Sequence, residues 1–206
     1  MTARQLPRVQ PAVIALVRHG ETDWNAAGRI QGRTEVPLNE TGRAQAAATA
    51  LALAEASASL GAWTGVRASP LGRAIETAEI IAAGLSLAQP HIDDALWERD
   101  FGPAEGVIVA EAQRMWPGLD VPGAEPLDVL AERTADALTR VLREEPGSIV
   151  VAHGAMLRTG LGHLTGVSMP RIQNGEVWLL HSAGSEVRVE RLHGDVAEVP
   201  PTQEPA

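Results

Sequence analysis

The chain has 206 residues and a net charge of −9 at pH 7, with 45% apolar and 21% charged residues, proportions that exclude wholesale disorder and allow one sizeable core. It contains no cysteine and no lysine, so all 17 basic residues are arginine. Disulfide scaffolds, thiolate metal sites, a cysteine nucleophile, Schiff-base chemistry and a lysine-bearing phosphate loop are excluded, and the acidic balance argues against a nucleic-acid partner.

The apolar, branched run at 13–17 predicts a strand buried on both faces, ending at Arg18-His19-Gly20. Asn39-Glu40-Thr41-Gly42 then opens an alanine-rich helix over 43–58. A second strand is expected at 63–68, broken by Ser69-Pro70, and apolar spacing predicts a helix over 71–83. The segment 90–126, punctuated by prolines and glycines, is expected to leave the core sheet as an excursion with one short helix over 107–116. A helix over 127–144 stops at Pro146-Gly147 and precedes a doubly buried strand at 148–152, which ends at His153-Gly154. A helix over 155–164 and strands at 177–181 and 187–191 complete the series.

This alternation predicts an α/β fold, a three-layer sandwich with a mostly parallel central sheet and helices on both faces. One domain over 1–206 is expected, its core spanning about 12–193 between flexible ends at 1–10 and 194–206. No apolar run reaches the length of a membrane span and no leader pattern follows Met1, so a cytoplasmic protein without a membrane partner is expected. A homodimer interface on the alanine-rich helix or the late strands is compatible with the pattern.

In open α/β sheets ligands bind beyond the carboxyl ends of the strands. His19 and His153 both fall there, each followed by a glycine that lets backbone approach a ligand closely. Arg18 precedes one of them, and Arg73 lies in the first turn after the second strand, within reach of the same crevice. The other histidines, His91, His163, His181 and His193, lack metal-ligand spacing, and Gly160-Leu161-Gly162 with Gly166 is misplaced for a dinucleotide loop.

The run Arg18-His19-Gly20-Glu21-Thr22 followed by Trp24-Asn25 resembles the opening signature of the histidine phosphatase superfamily, in its phosphoglycerate-mutase-like branch. The resemblance continues through Gly28 to Gly32, Pro37-Leu38-Asn39, Ser69-Pro70-Leu71 with Arg73-Ala74, Leu96-Trp97-Glu98, Phe101-Gly102, Glu105-Gly106 and Val151 to Gly154. It implies that His19 is a nucleophile that becomes a phosphohistidine, splitting one hard transfer into two easier ones. It implies further that Arg18, Arg73 and His153 clamp the phosphoryl oxygens, and that Glu98 is the general acid and base. Asn25 and the amide of Gly154 match supporting donors, and Thr22, Gln31 and Gly32 belong to the substrate mouth on the same resemblance. No metal and no organic cofactor are implied. An acid working near neutral pH needs surroundings that disfavour its charge, so Glu98 is expected to be partly buried.

The resemblance leaves three readings open. A mutase of this family must hold a doubly charged intermediate with a lysine and an arginine pair, and this chain has neither. A phosphatase acting on small phosphomonoesters is therefore expected over a mutase, and over a silent phosphate-binding scaffold because the implied catalytic set is complete. The sequence departs from the family pattern at Glu35, at Pro103-Ala104 and at Ala124-Glu125-Pro126, which puts substrate preference in doubt and removes a hydroxyl cap from the helix near Leu127.

Overall fold

The computed structural model describes residues 12–183 and 186–192, so the ends expected to be flexible lie outside the described residues. In chain order the elements are β1 (Ala12–Arg18), α1 (Asp23–Ala26), α2 (Glu40–Leu60), β2 (Gly65–Ala68), α3 (Gly72–Gly84) and β3 (His91–Ile92). There follow α4 (Val109–Met115), α5 (Leu127–Glu144), β4 (Ser148–Ala152), α6 (Gly154–Thr165), β5 (Val177–Ala183) and β6 (Glu186–Arg191). Short 3-10 turns stand at Asp94–Leu96, Gly102–Ala104 and Pro117–Leu119.

The strands form a six-stranded sheet in the order β3-β2-β4-β1-β5-β6. The pairs β3 with β2, β2 with β4, and β4 with β1 are parallel, whereas β5 is antiparallel to both β1 and β6. Only β5 runs against the rest, so the sheet is mostly parallel as the alternation implies.

The unbroken apolar runs of β1 and β4 follow from burial on both faces. Ile14 and Leu16, with Val150 and Ala152, pack under α5 and α6 through Leu138, Val141, Met156 and Leu157. Their alternate neighbours Ala15 and Val17, with Ile149 and Val151, pack under α2 and α3 through Ala50, Leu53, Ala78 and Ile81. Each such leucine or isoleucine contributes about 1.5–3 kcal/mol when fully buried. Helix α2 is ordered by Asn39, whose side chain accepts from the amide of Gly42 at 2.8 Å, and it buries Gly42, Ala46, Thr49, Ala50 and Leu53 at helical spacing.

The excursion between α3 and α5 packs Phe101, Ala104, Ala112 and Val121 into a small separate core with Ile30 from the loop before α2. It also returns a two-residue strand, β3, to the sheet edge beside β2, where only an excursion is expected from sequence. Both β3 residues are exposed, so no burial pattern marks them and the pairing is set by tertiary contact alone. Trp63 precedes β2 instead of lying in it, and its buried indole donates to the carbonyl of Leu53 at 2.7 Å. As the proline at position 126 implies, α5 starts without a side-chain cap. Among the described residues no helix is long and apolar enough to cross a membrane.

Candidate active site

The three parallel strands β2, β4 and β1 are adjacent, and their registers align Ala68 with Val151 and Arg18 with Ala152. The residues that leave these strands, Ser69, His153 and His19, are therefore side by side at one edge of the sheet. Their amides extend the ladder, with Ser69 donating to Val151 at 3.0 Å and His19 to Ala152 at 3.0 Å. The rings of His19 and His153 stand 5.2 Å apart, edge to face.

His19 is 3% exposed, and its Nδ1 lies 2.7 Å from the carbonyl of Gly20. A carbonyl only accepts, so Nδ1 carries the proton and Nε2 carries the lone pair. Arg73 Nε donates to that Nε2 at 3.2 Å. The other guanidinium nitrogens of Arg73 donate to the carbonyls of Thr34 at 2.9 Å and Gly32 at 2.7 Å, which fixes the fork at 1% exposure. Burial, then the charges of Arg73 and Arg18, push the His19 imidazole well below the ordinary histidine range. The ring is thus neutral, in one tautomer, with its nucleophilic nitrogen presented to a cation.

His153 is also pushed well below the ordinary range, by burial first and then by Arg73, His19 and Arg18. Its Nε2 lies 2.7 Å from Ser69 Oγ, which itself accepts from the amide of Leu71 at 3.4 Å. Ser69 can thus donate its proton to Nε2, leaving a proton on Nδ1, which is buried without a partner among the described residues. An unpaired buried donor beside His19 is costly unless a ligand oxygen meets it.

Glu98 comes from the extended stretch after the 3-10 turn at Asp94–Leu96 and is 7% exposed, so the burial expected of it is present. Helix α6 has no cap of its own at His153, and Glu98 takes that place. Its Oε1 accepts from the amides of Met156 at 2.9 Å and Arg99 at 2.8 Å, its Oε2 from the amide of Ala155 at 3.2 Å. Helix α3, likewise uncapped from within, receives the carboxylate of Glu35, which accepts from the amide of Gly72 at 3.1 Å. One departure from the family pattern thus serves as a cap.

A cavity of about 310 Å³ opens at this edge. Of the residues proposed from sequence, Arg18, His19, Asn25, Gln31, Gly32, Arg73, Glu98 and Gly154 line it. His153 lies behind His19 at 0% exposure. Arg18 donates to the carbonyl of Ile172 at 2.8 Å, and Gln31 Oε1 is buried without a partner among the described residues. Asn25 Oδ1 accepts from the amide of Thr22, from Thr22 Oγ1 and from Asn174 Nδ2, which leaves the Asn25 amide donors for a ligand. Thr22 does not reach the cavity; it is fully buried as the N-cap of α1. The two following glycines also divide. A Cβ on Gly20 would collide with the backbone of Gly42 in α2, whereas one on Gly154 would sit 3.2 Å from Arg18 Nε at the site itself.

Sequence reasoning missed the rim. Arg29, Arg158 and Arg171 line the cavity, as do Phe101 and Gln113. Arg158 had a usable signal, since it lies one helical turn beyond Gly154 on α6 and therefore points the same way. Asn174, which also donates to the carbonyl of His19 at 2.9 Å, had none, because it lies in a loop far along the chain. Glu98 is the one carboxylate among the lining residues, against five arginines, so a strongly acidic chain carries a cationic cavity.

The family model described as histidine phosphatase superfamily (branch 1) matches residues 14–195. The chain is 39% identical to the uncharacterized phosphatase PhoE of Bacillus subtilis, over 74% of this chain and 77% of that protein. It is 36% identical to a metal-independent phosphoserine phosphatase of Arabidopsis thaliana, over 82% of this chain and 75% of that one. Among solved structures, YhfR of Bacillus stearothermophilus superposes with a TM-score of 0.74 at 28% identity, covering 91% of this chain and 99% of that one. A mycobacterial glucosyl-3-phosphoglycerate phosphatase superposes with a TM-score of 0.72 at 26% identity, covering 87% and 96%. The chain belongs to the histidine phosphatase superfamily, branch 1.

Proposed function

We propose that this enzyme hydrolyses small phosphomonoesters in two steps through a phosphohistidine on Nε2 of His19. The observation that carries the reading is the neutral His19 ring, which lines the cavity and is held by Gly20 so that Nε2 carries the lone pair, beside Arg73. In the first step that lone pair attacks phosphorus and the bond to the leaving oxygen breaks. Glu98, as the acid, gives its proton to the departing alkoxide. Its Oε2, which holds a single long hydrogen bond, is the oxygen free to do so, while Oε1 stays anchored by two amides. In the second step Glu98 takes a proton from water, the water oxygen attacks phosphorus, and the phosphorus–nitrogen bond breaks to restore His19 and release phosphate.

Phosphoryl transfer needs positioning and charge neutralisation above all. Arg18 and Arg73 line the cavity and supply two guanidiniums. His153 does not itself line the cavity, but its ring packs on His19 with an Nδ1 that has no partner among the described residues, and the reading assigns that proton to a phosphoryl oxygen held at His19. This set requires no metal. The missing lysine and the missing arginine pair support hydrolysis over mutase chemistry.

The surplus of rim arginines supports a substrate whose leaving group carries a second acidic group, such as a carboxylate. Relatives that act on phosphoserine and on glucosyl-3-phosphoglycerate support the same class. A cytoplasmic enzyme, without a nucleic-acid or membrane partner, fits the charge balance and the small-metabolite substrate. A homodimer stays part of the reading, with β6 as the outermost strand of the sheet, and light scattering decides it.

The test is phosphate release in EDTA from a panel spanning phosphoserine, 3-phosphoglycerate, ethanolamine phosphate and an aryl phosphate, with His19→Ala beside the wild type. Turnover that is indifferent to EDTA and lost in the variant supports the reading. Turnover restored only by a divalent ion, or retained by the variant, contradicts it.

A further inference from the structure

Glu98 stands on a stretch without helix or strand, yet an acid and base must be held to within about 0.5 Å of its working position. The carboxylate is fixed by α6, and the main chain behind it is fixed by something else. The carbonyl of Glu98 accepts from Arg33 Nε at 3.2 Å and from Arg133 Nη2 at 3.2 Å. These arginines come from the loop before α2 and from α5, and both converge on the carboxylate of Glu125. Arg133 binds it in a bidentate fork at 2.5 and 2.9 Å, and Arg33 lies 3.5 Å away. Glu125 is tied to the Glu98 stretch by its backbone as well, donating to Asp100 at 2.8 Å and accepting from Arg99 Nε at 2.9 Å. Burial opposes its charge, but the hydrogen bond and charge of Arg133, then the Asp100 amide and Arg33, hold its carboxyl below the ordinary range.

We infer that Glu125 is a positioning residue for Glu98, acting through Arg133 and Arg33 on the main chain that carries the acid and base. The inference rests on the reading of Glu98 given above. None of Glu125, Arg133 and Arg33 lines the cavity. Loss of the Glu125 charge releases two guanidiniums beside Glu98 and lets the stretch at 97–101 move away from α6. The consequence is selective. An alkyl alcohol leaves only with a proton supplied, whereas p-nitrophenolate leaves without one, so a displaced acid slows alkyl esters more than p-nitrophenyl phosphate.

The experiment measures kcat/KM for an alkyl phosphate and for p-nitrophenyl phosphate in the wild type, Glu125→Gln, Arg133→Met, Arg133→Lys and, as control, Glu98→Gln. In Glu125→Gln and Arg133→Met the ratio of alkyl to aryl kcat/KM is expected to fall by about tenfold to a hundredfold, as for misplacement of a reacting group by about 1 Å. Arg133→Lys is expected to recover part of the ratio. If Glu125→Gln does not fold, Glu125→Asp, with the same charge on a shorter arm, replaces it and is expected to shift the ratio in the same direction. An equal fall for both esters, or an unchanged ratio, overturns the inference and leaves Glu125 a purely structural residue. A control in which Glu98→Gln shows no selective loss overturns the acid and base reading, and this inference with it. Selective loss in Glu98→Gln alone overturns only the role of Glu125.

Discussion

Arg73 donates its Nε proton to the Nε2 of His19 at 3.2 Å, and its two remaining nitrogens are fastened to the carbonyls of Gly32 and Thr34. The cation therefore does two jobs from one position: it keeps His19 from taking up a proton, and it waits where phosphoryl charge will develop. A lysine would supply a point charge without the planar fork. Arg73→Lys is expected to lower kcat/KM by about 10²–10³-fold, the loss typical of one preorganised donor at a developing charge. Steady-state kinetics beside thermal melting checks it. A variant that melts as the wild type does and keeps full activity would contradict the role.

Glu98→Gln keeps an oxygen for the amides of Met156 and Arg99 but sets an NH2 group against the amide of Ala155 and loses the proton, so turnover of alkyl phosphates is expected to fall by about 10²–10⁴-fold. With p-nitrophenyl phosphate the first step survives, and the second, which needs a base, becomes limiting. Stopped-flow absorbance should show a burst of p-nitrophenolate followed by slow turnover, and a burst-free progress curve would argue against two steps.

Among the described residues Ser69 is the sole hydrogen-bond partner of the His153 ring, which has no exposure to solvent. Ser69→Ala leaves both ring nitrogens unpaired and the tautomer unspecified. The expected cost is about 1–3 kcal/mol in urea unfolding, with a fall in kcat/KM alongside it. Unchanged unfolding together with unchanged kinetics would remove Ser69 from the account.

The two buried histidines also set a dependence of stability on pH. His19 and His153 are held well below the ordinary value of 6.5 in the folded chain and return to it on unfolding. Above about pH 6.5 both states are neutral there and the full stability is present. As the pH falls below that value, the unfolded chain binds protons that the folded chain refuses, so stability is lost. The slope is up to about 1.4 kcal/mol per pH unit for each histidine until the folded values are reached. Urea melts between pH 7.5 and 5.5 should show this decline, and His153→Gln should make it shallower. An equal slope in the variant would contradict a neutral buried His153.

The parts of this site that are legible in the sequence are those fixed by the ends of strands. His19 and His153 each follow an apolar run that only a doubly buried strand accounts for, so their shared edge follows from the pattern of residues alone. Glu98, with only local signals of a charged turn, is identified through the family resemblance. What stays hidden depends on contacts between distant segments. The pairing of β3 leaves no burial pattern, Asn174 reaches His19 from 155 residues away, and Glu125 gathers arginines from two other segments. Thr22 shows the converse. A threonine inside the signature is assigned by resemblance to the substrate mouth, while its spacing to Asn25 spells a helix cap, which is where the structure puts it.

The central claim is that Nε2 of His19 takes the phosphoryl group. The most direct measurement mixes Glu98→Gln with p-nitrophenyl phosphate, quenches in alkali, where phosphohistidine survives, and maps the phosphoryl adduct by mass spectrometry of peptides. The account predicts an acid-labile adduct on His19, in amount matching the burst of p-nitrophenolate, and none in His19→Ala carrying the same Glu98 substitution. An adduct on another residue, or a burst with no adduct on His19, would contradict it.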